Sequence, residues 1–453
     1  MNSFRYKRFE GLLGGESDCS FGMEVATSAT KMQGLSGSLG EQPLPVSSGA
    51  GFSVRCFWSA AGKLLRKEER GPFGRITWTY SFDDRGHLLE TRKDGILVER
   101  YTYDEGGRRI ADYLTWFGEP RQFIYYYDGK LTRLDDEYLA WTEKGQLQSI
   151  YDRSRRCEYV YGTDTRLDCI FLPCGKVIAY EYGKELMPVR ITEDGEAVAE
   201  YEWEDLLRLV RYIDIRNGLV YSFSYDSGRA PQTVTITGRP DVMQSVTGIY
   251  ANQVDLHIGV NQVDSVRLLA TPDGRPVKYV EYDSFGNVAG DTCRNLRFPL
   301  GFACGLNDDY TEFVRFGFRD YHPLIGRFTA KDPIGYTGGD NDLWDYCVDD
   351  PVSLNDPAGL KGGLPGKVLG DFISEMLFPK ELNAPEKVID LTNRMDELDE
   401  KKKNGSLTSK EEAELRKVSK ERYVQQYIHR EHLTKDGYYD EFLENRRKRL
   451  KLR

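Results

Sequence analysis

The sequence predicts a mainly β protein that ends in a small helical piece. Three observations carry this. Tyr (29) and Gly (45) are both abundant in 453 residues, and Tyr favours strands while Gly favours turns. Aromatic clusters recur at a near-constant spacing from about residue 80 to 223. Just past residue 360 the chain turns from Tyr-, Gly- and Asp-rich to Lys- and Glu-rich, with helical spacing.

Residues 1–52 read as a flexible Gly- and Ser-rich leader, including GLSGSLGEQPLPVSSGAG, with little periodicity. Its first residues, MNSFRYKRFEGLLGG, carry basic groups but lack the apolar stretch of a secretory signal. No apolar run approaches the roughly 18 residues that a membrane helix requires. The eight Cys are scattered without a CxxC pair, so reduced thiols are expected rather than disulfides or a zinc site.

Residues 53–249 read as a repeat. Its marker is an aromatic-x-aromatic or aromatic-x-acid cluster before a turn: Tyr80 to Asp83, Tyr101 to Asp104, Tyr125 to Asp128, Tyr159 to Tyr161, Tyr180 to Tyr182, Tyr201 to Trp203 and Tyr221 to Phe223. Alternation by two suits a half-buried strand. Gly, Asp or Asn after most clusters supply the turn. A second apolar stretch follows many turns, as in Leu88-Leu89 and Leu131 to Leu134. One period is strand, turn, strand. A lone hairpin is marginal in water, so consecutive units must pack side by side.

This pattern resembles the YD-repeat of Rhs proteins, from about Ser53 to Gly290. The resemblance implies a β-spiral, a partial shell of stacked hairpins. A β-solenoid or propeller is the alternative, but blade periods of about 40 residues are not evident. Residues 250–360 look like the Rhs-associated core: Asp264-Ser-Val-Arg-Leu-Leu-Ala-Thr-Pro-Asp-Gly274, then Val280 to Asn287, then Phe298 to Leu306.

The stretch from Arg315 to Leu360 is crowded with Asp. Paired carboxylates hydrolyse bonds when their surroundings separate their pKa values: one activates water and the other protonates the leaving group. Composition cannot choose among Asp320, Asp332, Asp340, Asp342, Asp345, Asp349, Asp350 and Asp356, and Asp-Pro steps are ordinary turn starters.

The ordered motifs Arg319-Asp320-Tyr321, Gly326-Arg327-Phe328, Lys331-Asp332-Pro333, Gly338-Gly339, Tyr346 and Asp356-Pro357-x-Gly359-Leu360 resemble the end of the Rhs core, and related motifs of Tc-toxin C components. The resemblance implies an aspartyl autoprotease that needs no cofactor. Asp320 and Asp332 would be catalytic, Arg319 supporting, and Leu360–Lys361 the bond cut. Position 322 is His where the family usually has Asp. A plug that seals without cutting is the structural alternative.

Residues 361–453 read as a variable helical C-terminal effector domain. Helical spacing runs over 387–403 and 408–430, with Ser409 ahead of Glu411 and Glu412 marking a start. From Lys361 onward there are 21 Lys+Arg against 18 Asp+Glu, a charge of +3, while residues 1–360 carry −13. Only the tail therefore invites an anionic partner such as nucleic acid. His429, Glu431 and His432 form its one chemical cluster, able to hold a divalent metal or serve a nuclease, but an HxxH spacing also fits solvated surface residues.

The resemblance implies a polymorphic toxin fragment in interbacterial competition, made in the cytoplasm and then secreted or delivered into target cells. Its partners would be an immunity protein for the tail and a secretion-system spike or chaperone. A non-enzymatic carrier, or a surface repeat protein that binds carbohydrate or a partner and has an inactive tail, is the competing reading.

Overall fold

Six of the seven aromatic clusters lie on strands, and the residues around them explain the repeat. The computed structural model describes residues 44–47, 51–333 apart from 163–164, 184–186 and 205–206, 342–360, and scattered residues between 394 and 418. Within these, 23 antiparallel strands pair in sequence order, from Leu44–Ser47 to Val288–Asp291. Helix Pro240–Thr247 interrupts the series, and the sheet then continues through Gln253–Val260.

An aromatic follows a β-bulge at the strand end at Phe82, Tyr103, Tyr125, Tyr161, Tyr182 and Trp203. A bulge bends its strand and increases its twist. At four of these bulges the aromatic also reaches back one repeat. Tyr103 donates from its hydroxyl to the Leu88 carbonyl (2.9 Å), Tyr125 to Arg109 (2.8 Å) and Tyr182 to Leu167 (2.8 Å). Trp203 Nε1 does the same to Pro188 (2.9 Å), and Tyr225, just past a strand without a bulge, to Leu209 (2.8 Å). Each acceptor opens the second strand of the preceding hairpin. The Asp after the cluster caps its turn: Asp83 Oδ1 accepts from the Arg85 and His87 amides, and Asp104 Oδ1 from Arg108. One cluster departs from the pattern. Its strand stops at Tyr125, and Tyr126 and Tyr127 stand exposed in the turn.

The two ends of the sheet meet through side chains nearly 200 residues apart. Arg267, fully buried, donates to Glu69 (3.1 Å) and to the Tyr279 hydroxyl (2.8 Å). Lys67 and the Trp78 indole complete the shell around Glu69. Lys93 pairs with Glu281 at 2.7 Å, and the Thr91 and Ser284 hydroxyls bond at 2.9 Å. An apolar cluster holds Phe52, Val54, Trp78 and Tyr101 against Leu268, Tyr279 and Phe285.

This seam also buries two like charges, Glu99 and Asp283. Burial, then Glu99, pushes the Asp283 carboxyl up to about 7. The folded chain therefore keeps a proton that the unfolded chain releases between about pH 4 and 7, and stability falls across that window. Asp283→Asn removes the titration. The melting temperature of the variant relative to wild type should rise as pH goes from 4 to 7, by an amount on the order of 3 kcal/mol in stability. Melting curves with a pH-independent gap would refute this.

The core residues after the sheet pack on it. Four short strands, Leu306–Asn307, Val314–Phe316, Arg319–His322 and Arg327–Phe328, form a second antiparallel sheet. Isolated bridges and hydrogen bonds tie it to the repeats, including Gln146 to Ala330 and Thr165 Oγ1 to the Phe318 carbonyl. In the tail, Thr408 and Glu411 form a reciprocal capping box, so the cap falls one residue before Ser409. Arg394 holds Glu414 with two hydrogen bonds. The seven described cysteines are free thiols, and no described helix is long and apolar enough to cross a membrane.

Candidate functional site

The site is built on strand Arg319–His322 and the turn that ends at Leu360. Successive residues of a strand face opposite ways, so Arg319 and Asp320 part company. The Arg319 side chain, 1% exposed, lies flat on the Phe328 ring with its guanidinium carbon 3.6 Å from the centroid. Its fork donates to Asp332 Oδ2 at 3.0 Å and lies 3.4 Å from Asp356 Oδ2. It also donates to the carbonyls of Gly359 and Leu343. A planar guanidinium can serve several acceptors in fixed geometry, which an ammonium cannot.

Asp356 binds the end of the same turn. Its Oδ1 accepts from the Leu360 amide at 3.0 Å, and its carbonyl from Gly359 at 3.1 Å. Two glycines make this fit. Gly359 has φ +66, and a Cβ there would stand 2.4 Å from the Phe316 carbonyl oxygen. Gly317 has φ +40, and its Cβ would stand 2.7 Å from the Ala358 oxygen. Leu360 is 1% exposed and sits in the main hydrophobic core with Phe318, Ile325 and Ala358. Chain segment 356–360 is thus clamped: Asp356 and Arg319 hold its peptide groups, and Asp332 joins them through Arg319.

Asp320 faces elsewhere. Its Oδ2 accepts from Arg315 Nη1 at 2.9 Å. Burial raises its carboxyl above the ordinary range, and Arg315 offsets part of the rise. Asp320 in turn helps raise Asp308, which burial chiefly pushes up to about 7 and whose carboxylate accepts from the Tyr180 hydroxyl. Three other junction acids face cations of their own. Asp342 pairs with Arg327 and Asp350 with Lys63, while Arg109 and Arg327 oppose the burial that lifts Asp349 to about 6. Among the described cations of the junction, Arg319 is the one that takes two carboxylates.

The structure therefore brings together Arg319, Asp332 and Leu360, adds Asp356, and seats Asp320 with Arg315. Asp356 was visible in the sequence as part of the closing motif, but nothing local marked its carboxylate as a partner of Asp332. The departure at His322 is buried: its ring packs 4.8 Å from Phe313, and burial drives it down to about 3, so it is neutral. Lys361, His429, Glu431 and His432 lie outside the described residues.

Residues 239–341 match the family model described as Teneurin YD-shell. Among similar proteins, mouse Teneurin-3 is 22% identical over 315 residues, covering 65% of this chain and 10% of the relative. Double-stranded DNA deaminase toxin A of Burkholderia cenocepacia (strain H111) is 26% identical over 373 residues, covering 73% of this chain and 25% of the relative. The chain thus spans between a tenth and a quarter of the length of these curated relatives. A crystal structure titled TcdB2-TccC3-Cdc42 aligns with a TM-score of 0.48 at 17% identity, over 68% of this chain and 17% of that one. The family match and the relatives bear out the likeness to YD-repeat proteins.

Proposed function

We propose, from a chain with a YD-repeat sheet of the Rhs and teneurin kind, that it is an Rhs-type toxin carrier. It cuts itself after Leu360 and so frees residues 361–453 as an effector. The observation that carries the reading is the clamp: Asp332 and Asp356 share Arg319, and Asp356 and Arg319 both hold peptide groups of the segment ending at Leu360.

In this reading the two carboxylates on Arg319 divide the work as one acid and one base, with a single proton between them. One then takes a proton from water as the water oxygen adds to the Leu360 carbonyl carbon. The other protonates the Lys361 nitrogen as the C–N bond breaks. Burial keeps competing water out, and the glycine-enforced fit fixes the bond's approach. Asp320, next in sequence to Arg319, remains a third carboxylate to test. A toxin named among the relatives supports the carrier role, as does the change in charge at the junction.

The test is the mass of the purified full chain under denaturing conditions. Self-cleavage yields a 360-residue body and a 93-residue tail. A single 453-residue species, unchanged on prolonged incubation from pH 5 to 9, overturns the reading and leaves a carrier that seals without cutting.

A further inference from the structure

We propose that Lys63 is a positioning residue for this cut: by holding Asp350 it seats the turn that delivers Asp356, so the junction cuts only when the hairpin bearing Lys63 has closed on it. The inference rests on the self-cleavage reading.

Lys63 lies in the turn of an early hairpin, whose strands are Ser53–Trp58 and Leu64–Gly71. Its ammonium donates to Asp350 Oδ2 at 2.8 Å, across 287 residues of chain. It also donates at 2.7 Å to the Gly86 carbonyl, in the turn of the next hairpin. Gly86 leaves room for it, since a Cβ there would stand 2.6 Å from Lys63 Nζ. The Asp350 side chain is 1% exposed. A carboxylate so buried is costly to leave without its cation.

Three further contacts fasten the same stretch of the junction. The Leu64 amide donates to Ser353 Oγ at 2.9 Å. Val352 is buried in the apolar cluster that holds Phe52, Leu64 and Trp78. Gln262 Nε2 donates to the Val352 carbonyl at 3.1 Å, from just ahead of strand Val266–Ala270. Residues 350–353 therefore touch an early hairpin and the late part of the sheet at once.

Asp350 in turn shapes the chain that follows it. Its Oδ1 accepts from the Ser353 amide at 3.2 Å, and its carbonyl from the Leu354 amide at 3.2 Å. That turn leads on to Asp356, whose carboxylate holds the Leu360 amide and faces Arg319. Lys63 thus acts on the cut through Asp350 and the turn. Without the ammonium the Asp350 charge draws toward water, and the turn that carries Asp356 moves with it. A shift of about 1 Å in a reacting group can cost about 10²-fold in rate. Seating of the hairpin becomes a condition of cutting, and the tail stays joined to a body whose hairpin is not yet in place.

The test is the rate of cleavage. The full chain is made by cell-free translation with labelled methionine, synthesis is stopped, and release of the 93-residue tail is timed on a denaturing gel. Lys63→Met keeps the stem and loses the charge, and should slow the cut by roughly tenfold to a hundredfold. Lys63→Arg restores a cation and should recover most of the rate. Lys93→Met is the control. It removes another lysine–carboxylate pair between the two ends of the sheet, with Glu281 at 2.7 Å, and Lys93 is 31% exposed against 28% for Lys63. Its partners, Glu281 and the Trp78 ring, lie outside the junction, so it should cut at the wild-type rate. Melting of each variant on the non-cutting Asp332→Asn background checks that it folds. Ser353→Ala, which loses the Leu64 contact alone, should slow the cut roughly threefold, and it decides the case if Lys63→Met does not fold. A folded Lys63→Met chain that cuts at the wild-type rate, or a Lys93→Met chain slowed as much, overturns the inference and leaves the self-cleavage reading standing. Wild-type chain that never cuts overturns both.

Discussion

Asp332→Asn and Asp356→Asn should each leave the chain as one 453-residue species, while Asp320→Asn still releases the 93-residue tail. Removing a positioned acid or base costs about 10²–10⁴-fold in rate, enough to turn cutting within minutes into persistence over days. The three variants differ by one atom type each and are read on one denaturing gel. They discriminate because the geometry does. Asp332 and Asp356 meet on one guanidinium, whereas Asp320 accepts from Arg315 on the other side of the strand. The opposite result, an intact Asp320→Asn beside a cutting Asp356→Asn, would return the catalytic pair to Asp320 and Asp332.

Arg319→Met should both stop cleavage and strip out stability. Methionine can cover the Phe328 ring, so packing is largely kept. What is lost is the cation between a buried carboxylate, Asp356, and a half-buried one, Asp332. Breaking a buried pair by removing one partner typically costs about 3–5 kcal/mol, because the remaining charge is left uncompensated. Denaturant unfolding of the Arg319→Met chain, each variant on a non-cutting Asp332→Asn background where needed, gives the size. Adding Asp356→Asn to Arg319→Met should recover part of the loss, since one orphaned charge disappears. No recovery would show that Arg319 acts mainly through its carbonyl contacts with Gly359 and Leu343.

Much of the sheet was legible because its rules are local. The aromatic at the bulge, the Asp that caps the turn and the alternation by two all lie within a few residues of one another. The site was legible only in part. Arg319 and Asp332 stood out through an ordered motif, and so did Leu360, where the clamped turn ends. The role of Asp356 did not, because its partner lies 37 residues back and is set by packing of the 356–360 turn against the Phe316–Arg319 segment. Adjacency in sequence also misleads on a strand: Arg319 and Asp320 are neighbours in the chain and face opposite surroundings. The meeting of the sheet's two ends through Arg267 and Glu69 left no trace in the sequence, since a buried ion pair of that separation has no local signature.

The backward reach of these aromatics has a consequence for how such a chain changes over generations. Five hairpins are stitched to the one before by a hydrogen bond to the first residue of that hairpin's second strand: 88, 109, 167, 188, 209. Gain or loss of one whole period of about 21 residues preserves every remaining stitch, because the same contact forms with whichever hairpin now comes before. Gain or loss of an odd fragment breaks the stitch and also turns the following strand over, exposing its buried face. The gene can therefore lengthen or shorten this sheet by complete periods while the junction at its far end, with its fixed bond and fixed acids, is carried along unchanged.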